Sequence, residues 1–319
     1  MDAMHAAPVH EVSPQPATQA TIEAAILKTV AYVDMFDYPL TAGEVQRYLA
    51  GVAAPAVAVT AVLSNGCLVP RRLSRHEGYF TLPGREDIVA TRRQREAVAQ
   101  HLWPEAIGYG RLIANLPFVR MVAVTGSLAV NNVEPDADID YLVVTENERL
   151  WLARALVIVV VRLAARRNVR LCPNYFLSRR ALVFPERSLY TAHELVQMRP
   201  IAGLDIYHLL RRLNAWTADF LPNAHLEQPS SAAVTAAEPA KAKWRQAAEA
   251  MLRTRAGAPI ERWEMRRKIR KFGRAHTYQN GNYDASEAAF SADWCKGHFD
   301  GHGRRIMETF AGRLLEIGD

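Results

Sequence analysis

Residues 122–145 read VAVTGSLAVNNVEPDADIDYLVVT, and this stretch decides the fold. Val122–Val124 has the β-branched character of a strand, Gly126-Ser127 opens a turn, and Leu128–Asn131 continue as a first helical turn. Pro135 resets the chain, and Asp138–Val144 predicts a second strand. Successive side chains of a strand point to opposite faces, so Asp138 and Asp140 project together while Ile139 and Tyr141 point the other way. Two neighbouring carboxylates repel unless a cation lies between them, which is the condition for a divalent metal site. The alternative for Asp136, Asp138 and Asp140 is a charged strand edge facing water. A glycine ahead of a helical turn exposes backbone N–H groups suited to a phosphate chain, and the Ser127 hydroxyl adds a donor. Magnesium prefers one or two protein carboxylates completed by waters and phosphates, which joins the two halves of the segment into one expected site.

The layout of hydrophobic-Gly-Ser, ten residues, then Asp-hydrophobic-Asp-hydrophobic resembles the DNA polymerase β-like nucleotidyltransferase superfamily. FDYPLT (36–41), LYTAHELVQM (189–198) and NAW…LPN (214–223) also look like a group of bacterial nucleotidyltransferase-domain proteins with a winged-helix leader. The resemblance covers residues 105–185 or so and implies a mixed-sheet nucleotidyltransferase core. It implies that Gly126 and Ser127 hold the triphosphate of an NTP, with ATP the commonest donor. It further implies that Asp138 and Asp140 bind Mg²⁺, with two ions expected.

One departure concerns the third carboxylate that the superfamily usually supplies from a later strand. The strand expected over Val169–Leu177 (VRLCPNYFL) contains no acid. Asn174 is the polar residue nearest the expected place; its amide binds metal weakly or positions a hydroxyl, but it is no base. Either another carboxylate replaces it, or the metal alone activates the acceptor, or the core is a non-catalytic copy. A replacement is offered by SLYTAHELVQM (188–198), where Tyr190, His193, Glu194 and Gln197 share one helix face. That stripe is either a solvated surface or the wall of a cleft, in which case Glu194 or His193 is the base for an acceptor hydroxyl.

Outward from this core, Ile22–Phe36 has helical apolar spacing, Thr41 with Glu44 predicts a capping box opening a second helix, and AVAVTAVLSNGCLV (56–69) a third. RRLSRHEGYFTLPG (71–84) predicts a hairpin turning near His76-Glu77-Gly78. Three helices and a two-stranded wing form a winged-helix pattern. Ala56–Leu63 nevertheless offers alanine and valine where a DNA reader presents arginine, asparagine or glutamine, which favours a packing or substrate-contacting role. Arg92, Arg93 and Arg95 form either a solvated helix face or an anion site. The expected division is a leader at 1–20, a winged-helix-like domain at 21–100 and the nucleotidyltransferase core at 101–200. A helical C-terminal domain at 201–319 follows, with a flexible linker at about 225–240. The fold class is therefore α+β. Ile206–Phe220 predicts one amphipathic helix. His298, Asp300 and His302 invite a metal reading, but the surrounding glycines favour a loop.

The chain has 319 residues, half of them hydrophobic and 23% charged, which excludes wholesale disorder. Its three cysteines form no CxxC pair, so neither a disulfide framework nor a cysteine zinc site is expected, and a reducing, cytoplasmic setting is. The apolar run Ala155–Val161 is bracketed by Arg154 and Arg162 and is too short for a membrane span. The net charge of +6 permits an anionic partner. Together with these features, the superfamily resemblance implies an Mg²⁺-dependent enzyme moving an NMP from an NTP to the hydroxyl of a small-molecule acceptor. The alternatives are a toxin-like modifier of tRNA or protein, and a winged-helix DNA-binding regulator with an inactive nucleotide-binding core.

Overall fold

The computed structural model describes residues 17–226, 242–253, 257–279, 290–296 and 302–318. The first element is α1 (Gln19–Asp34), whose N-terminus is capped by the Thr18 hydroxyl accepting the Thr21 N–H. β1 (Leu40–Thr41) leads into α2 (Ala42–Arg47), where Thr41 and Glu44 exchange the two hydrogen bonds of a capping box. α3 (Ala56–Ser64) and the hairpin β2 (Ser74–His76) and β3 (Tyr79–Thr81) complete the unit, with strand order β1-β3-β2. The hairpin turns on Glu77 and Gly78, both at positive φ, as a two-residue turn requires.

α4 (Ile88–Ala114) is one continuous helix, so the division placed at 100/101 falls inside it. Its N-terminal half is bound to the small sheet through Arg92, which is 5% exposed. The Arg92 guanidinium donates to both Glu44 carboxylate oxygens (2.7 and 2.8 Å), to Glu96 (2.8 Å) and to the Pro39 carbonyl. It also lies over the rings of Tyr38 and Tyr79. Arg92 is therefore neither a solvated charge nor an anion ligand; it clamps two layers together, while Arg93 pairs with Glu77 on the surface. Arg92→Ala would strand two carboxylates, and we expect it to lower the unfolding free energy by about 3 kcal/mol in urea titrations. A loss below about 1 kcal/mol would reduce this clamp to an ordinary surface ion pair.

The core is a five-stranded mixed sheet built from β4 (Val119–Val124), β5 (Ile139–Thr145), β6 (Leu171–Ser178), β7 (Arg199–Ala202) and β8 (Trp294–Lys296). Its order is β7-β4-β5-β6-β8, with β5 and β6 parallel and the other neighbours antiparallel. The short α5 (Gly126–Ala129) sits between β4 and β5, and α6 (Leu150–Ala165) makes the crossover from β5 to β6. One sheet face, with Val122, Val124, Tyr141, Val143 and Phe176, packs on the second half of α4 and on α6. The other face, with Met121, Ala123, Leu142, Val144 and Tyr175, shares a single buried cluster with α1, α2 and α3. Also in that cluster are α7 (Leu189–Gln197) and α8 (Leu204–Leu213). The N-terminal unit thus forms a layer over the sheet.

The segment 201–319 is not purely helical, and β7 straddles its expected start. β8 pairs with β6 at the sheet edge, and α12 (Gly257–Gln279) packs on α6 after α11 (Lys243–Leu252). The helix expected over Ile206–Phe220 breaks into α8 and α9 (Thr217–Phe220), and a further short helix, α10 (Pro222–Leu226), follows. The cause is Asn214, whose side chain accepts from the Phe184 N–H and donates to the Leu182 carbonyl (2.8 and 2.7 Å), bending the chain to hold that loop. α13 (His302–Gly318) returns over α1 and α7, and its Arg313 pairs with the buried Asp34. The leader up to residue 16, residues 227–240 of the expected linker, and His298 and Asp300 lie outside the described residues. Among the described residues no helix is long and apolar enough to cross a membrane.

Candidate active site

β5 begins at Ile139, one residue later than expected, so Asp140 lies in the strand and Asp138 just before it. Asp140 is inside the strand on the face turned toward α1 and α7. Asp138 precedes the strand, and its side chain is 48% exposed, with the Arg170 guanidinium 3.6 Å away. Asp138 therefore stands beside the cavity described next and is not part of its lining. Burial pushes the Asp140 carboxyl up to about 7; the nearby Asp138 charge adds to this, while a hydrogen bond from Asn174 opposes it.

The Gly126-Ser127 turn lies directly against Asp140. The Thr125 N–H donates to the Asp140 carbonyl at 3.1 Å, tying the end of β4 to the start of β5. Gly126 adopts φ +66°, and a Cβ placed there would come within 3.2 Å of Asp140 Cγ and closer still to Oδ2. Only glycine satisfies both the left-handed backbone and the approach of the carboxylate. The turn continues with the Ser127 carbonyl accepting from the Asn132 N–H (2.9 Å), and closes on Asn131 at φ +58°. Gly126→Val is accordingly expected to lower the melting temperature, because the added side chain would press on the Asp140 carboxylate. An unchanged melting temperature would show that the turn accommodates a side chain there.

A cavity of about 280 Å³ opens between the turn, the sheet, α7 and α1. It gathers Gly126, Ser127, Asp140, Asn174 and Glu194, so five of the six residues singled out in the sequence share one space and Asp138 does not. α7 contributes Tyr190, His193, Glu194 and Gln197, the whole polar stripe. The stripe faces the cavity while the opposite side of α7, with Leu189, Ala192 and Leu195, is itself buried, so the helix is sandwiched. Burial pushes the Glu194 carboxyl up to about 7, the charge of Asp140 pushes it further, and Lys296 pulls it down. Burial holds the His193 imidazole neutral, with a pKa of about 3. His193 is stacked on Tyr32 (4.5 Å between ring centres), and Gln197 Nε2 donates to its Nδ1 at 3.0 Å. A neutral ring that already accepts at Nδ1 is a poor general base at neutral pH, so Glu194 is the better-suited of the two.

Sequence reasoning missed the remaining wall. Tyr32 and Val33 from the end of α1, and Phe36 and Tyr38 just beyond it, close the cavity from the N-terminal layer. This wall is bonded to the turn: the Tyr38 hydroxyl donates to the Val130 carbonyl (3.1 Å), and Asn132 Nδ2 donates to the Phe36 carbonyl (2.9 Å). The i, i+4 spacing of Tyr32 and Phe36 at a helix end was the available signal, but it reads equally as core packing.

A hard divalent cation at Asp140, with Asp138 at the edge of the cavity, would complete its shell with water and phosphate oxygen. The structure provides a reason for such a cation: Asp140 is desolvated and held by an amide. Among the described residues no group of three or more histidine, cysteine or acidic side chains is gathered as a metal centre. Compared with family models, with curated proteins and with solved structures, the chain finds no match in any of the three.

Proposed function

We propose that the chain is a nucleotidyltransferase that moves a nucleoside monophosphate from an NTP, ATP foremost, to a hydroxyl group of a small acceptor. The observation that carries this reading is the meeting of the Gly126-Ser127 turn, the Asp140 carboxylate and the Glu194 carboxylate in one cavity. Asp138 and Asp140 would hold magnesium, whose chemistry there is to neutralise charge on the phosphates and acidify a bound hydroxyl. The turn presents backbone N–H groups and the Ser127 hydroxyl to the phosphate chain. Glu194 accepts the proton as the acceptor oxygen bonds to the α-phosphorus. The bond from the α-phosphorus to the bridging oxygen breaks, and pyrophosphate leaves with that electron pair. Walls of Tyr32, Phe36, Tyr38 and Tyr190 exclude water that would otherwise compete for the α-phosphate.

The N-terminal layer has its place in this reading as the wall of the acceptor end, which accords with the lack of base-reading side chains on α3. The test uses each labelled NTP with Mg²⁺ and a small-molecule extract, wild type beside Asp140→Ala. Transfer of label to a small molecule by wild type alone supports the proposal. Label appearing only on RNA or protein would move it to the toxin-like alternative. No transfer with any NTP, together with a shifted DNA band, would replace it by the regulator reading.

A further inference from the structure

The pairing of β5 with β6 runs in register through Tyr141 and Pro173 and resumes at Leu142 and Tyr175, so Asn174 is the extra residue of a bulge. A bulge interrupts the alternation of a strand and re-aims one side chain. Here it turns Asn174 onto its neighbour, and Asn174 Nδ2 donates to Asp140 Oδ1 at 2.5 Å. A carboxamide has a donor end and an acceptor end; reversed, it would press its oxygen against the carboxylate. Asn174 Oδ1 is in turn occupied, because Cys172 Sγ donates to it at 2.8 Å, and the same thiol also stands within hydrogen-bonding reach of the Asp140 carboxylate. Cys172 is the residue paired with Asp140 in the strand register, so thiol, amide and carboxylate form a chain at one end of the sheet. On its far side the Asp140 carboxylate meets Gly126.

The geometry points to Cys172 as a positioning residue: its thiol sets the orientation of the Asn174 carboxamide, which fixes the Asp140 carboxylate against the Gly126 turn. The clamp belongs to the chain itself; its consequence for metal and transfer rests on the nucleotidyltransferase reading. It also gives the bulge position a use that needs no acid. An Asn174→Asp change would set a like charge against Asp140 and remove the donor that holds it.

The test combines a structural readout with two functional ones on the full chain. In ¹⁵N spectra the Asn174 side-chain amide, assigned by its loss in Asn174→Asp, is expected to exchange slowly with water. Cys172→Ala, with Cys172→Val beside it to fill the space without a donor, should abolish that protection. Both should weaken Mn²⁺ binding, followed by electron paramagnetic resonance, and lower kcat, each by about 10- to 100-fold. Cys172→Ser, which keeps a donor, should stay within about threefold of wild type in both. The inference is overturned if either donor-less variant folds with a protected Asn174 amide, or with unaltered Mn²⁺ affinity where wild type binds Mn²⁺. If wild type binds no Mn²⁺ and transfers nothing, the functional reading fails, and amide exchange alone still decides whether the clamp exists.

Discussion

Asp140→Asn is expected to lower nucleotidyl transfer by about 10³-fold or more, the equivalent of several kcal/mol of charge neutralisation at the phosphates. The same change should stabilise the metal-free protein at pH 8. Asp140 has its carboxyl raised from the ordinary aspartate range to about 7, chiefly by burial. A native state that holds a proton more tightly than the unfolded chain loses stability as pH rises between the two pKa values. The contribution of Asp140 to stability should therefore fall from about pH 4 to about pH 7 and level off above. The asparagine variant carries no charge to desolvate, and its side-chain oxygen can still accept from Asn174. Its advantage over wild type should be absent near pH 4 and complete by pH 8. Added Mg²⁺ should then raise the melting temperature of wild type and leave the variant unmoved. Wild-type turnover in Asp140→Asn, or an Mg²⁺ response equal to wild type, would end the metal assignment.

Glu194→Gln is expected to lower kcat by about 10² to 10⁴, the usual worth of a positioned general base. Nucleotide affinity should change little, because the base serves the acceptor and touches no phosphate. The pH profile separates this from a structural effect. Glu194 must be ionised to accept a proton, and its pKa is raised to about 7. Wild-type kcat should accordingly climb with pH through neutrality and reach a plateau, whereas the residual rate of Glu194→Gln should lack that limb. Full kcat in the glutamine variant would remove Glu194 from the chemistry. Its wall partners Tyr32 and Tyr190 have phenols raised by burial and by the Glu194 charge, so they stay protonated across this range.

Much of this arrangement is local in origin and could be read along the chain. The capping box at Thr41 and Glu44 depends on residues three apart, and the hairpin turn at Glu77-Gly78 on two backbone angles. The strand–turn–strand of residues 122–145 follows from side-chain shape and from the punctuation by Gly126 and Pro135. The shared face of Tyr190, His193, Glu194 and Gln197 follows from helix geometry alone. Each of these is fixed by interactions spanning a few residues, which a sequence records directly.

The tertiary structure decided what those faces meet. The α7 stripe is polar in composition and becomes a cavity wall while the second, apolar side of the helix is also covered. Arg92, one of three similar arginines, is buried because α4 passes under Glu44 and Tyr79, residues distant in the chain. β8 joins the sheet more than a hundred residues after β6, a pairing that no periodicity announces. The bulge that turns Asn174 onto Asp140 arises from the register between two strands, and neither strand alone contains it. The sequence by itself determined the local geometry of the Gly126-Ser127 turn and the alternation that faces Asp140 inward. Burial did the rest: desolvation, which depends on every element surrounding a side chain, made two ordinary carboxylates into groups with a pKa of about 7 facing one cavity.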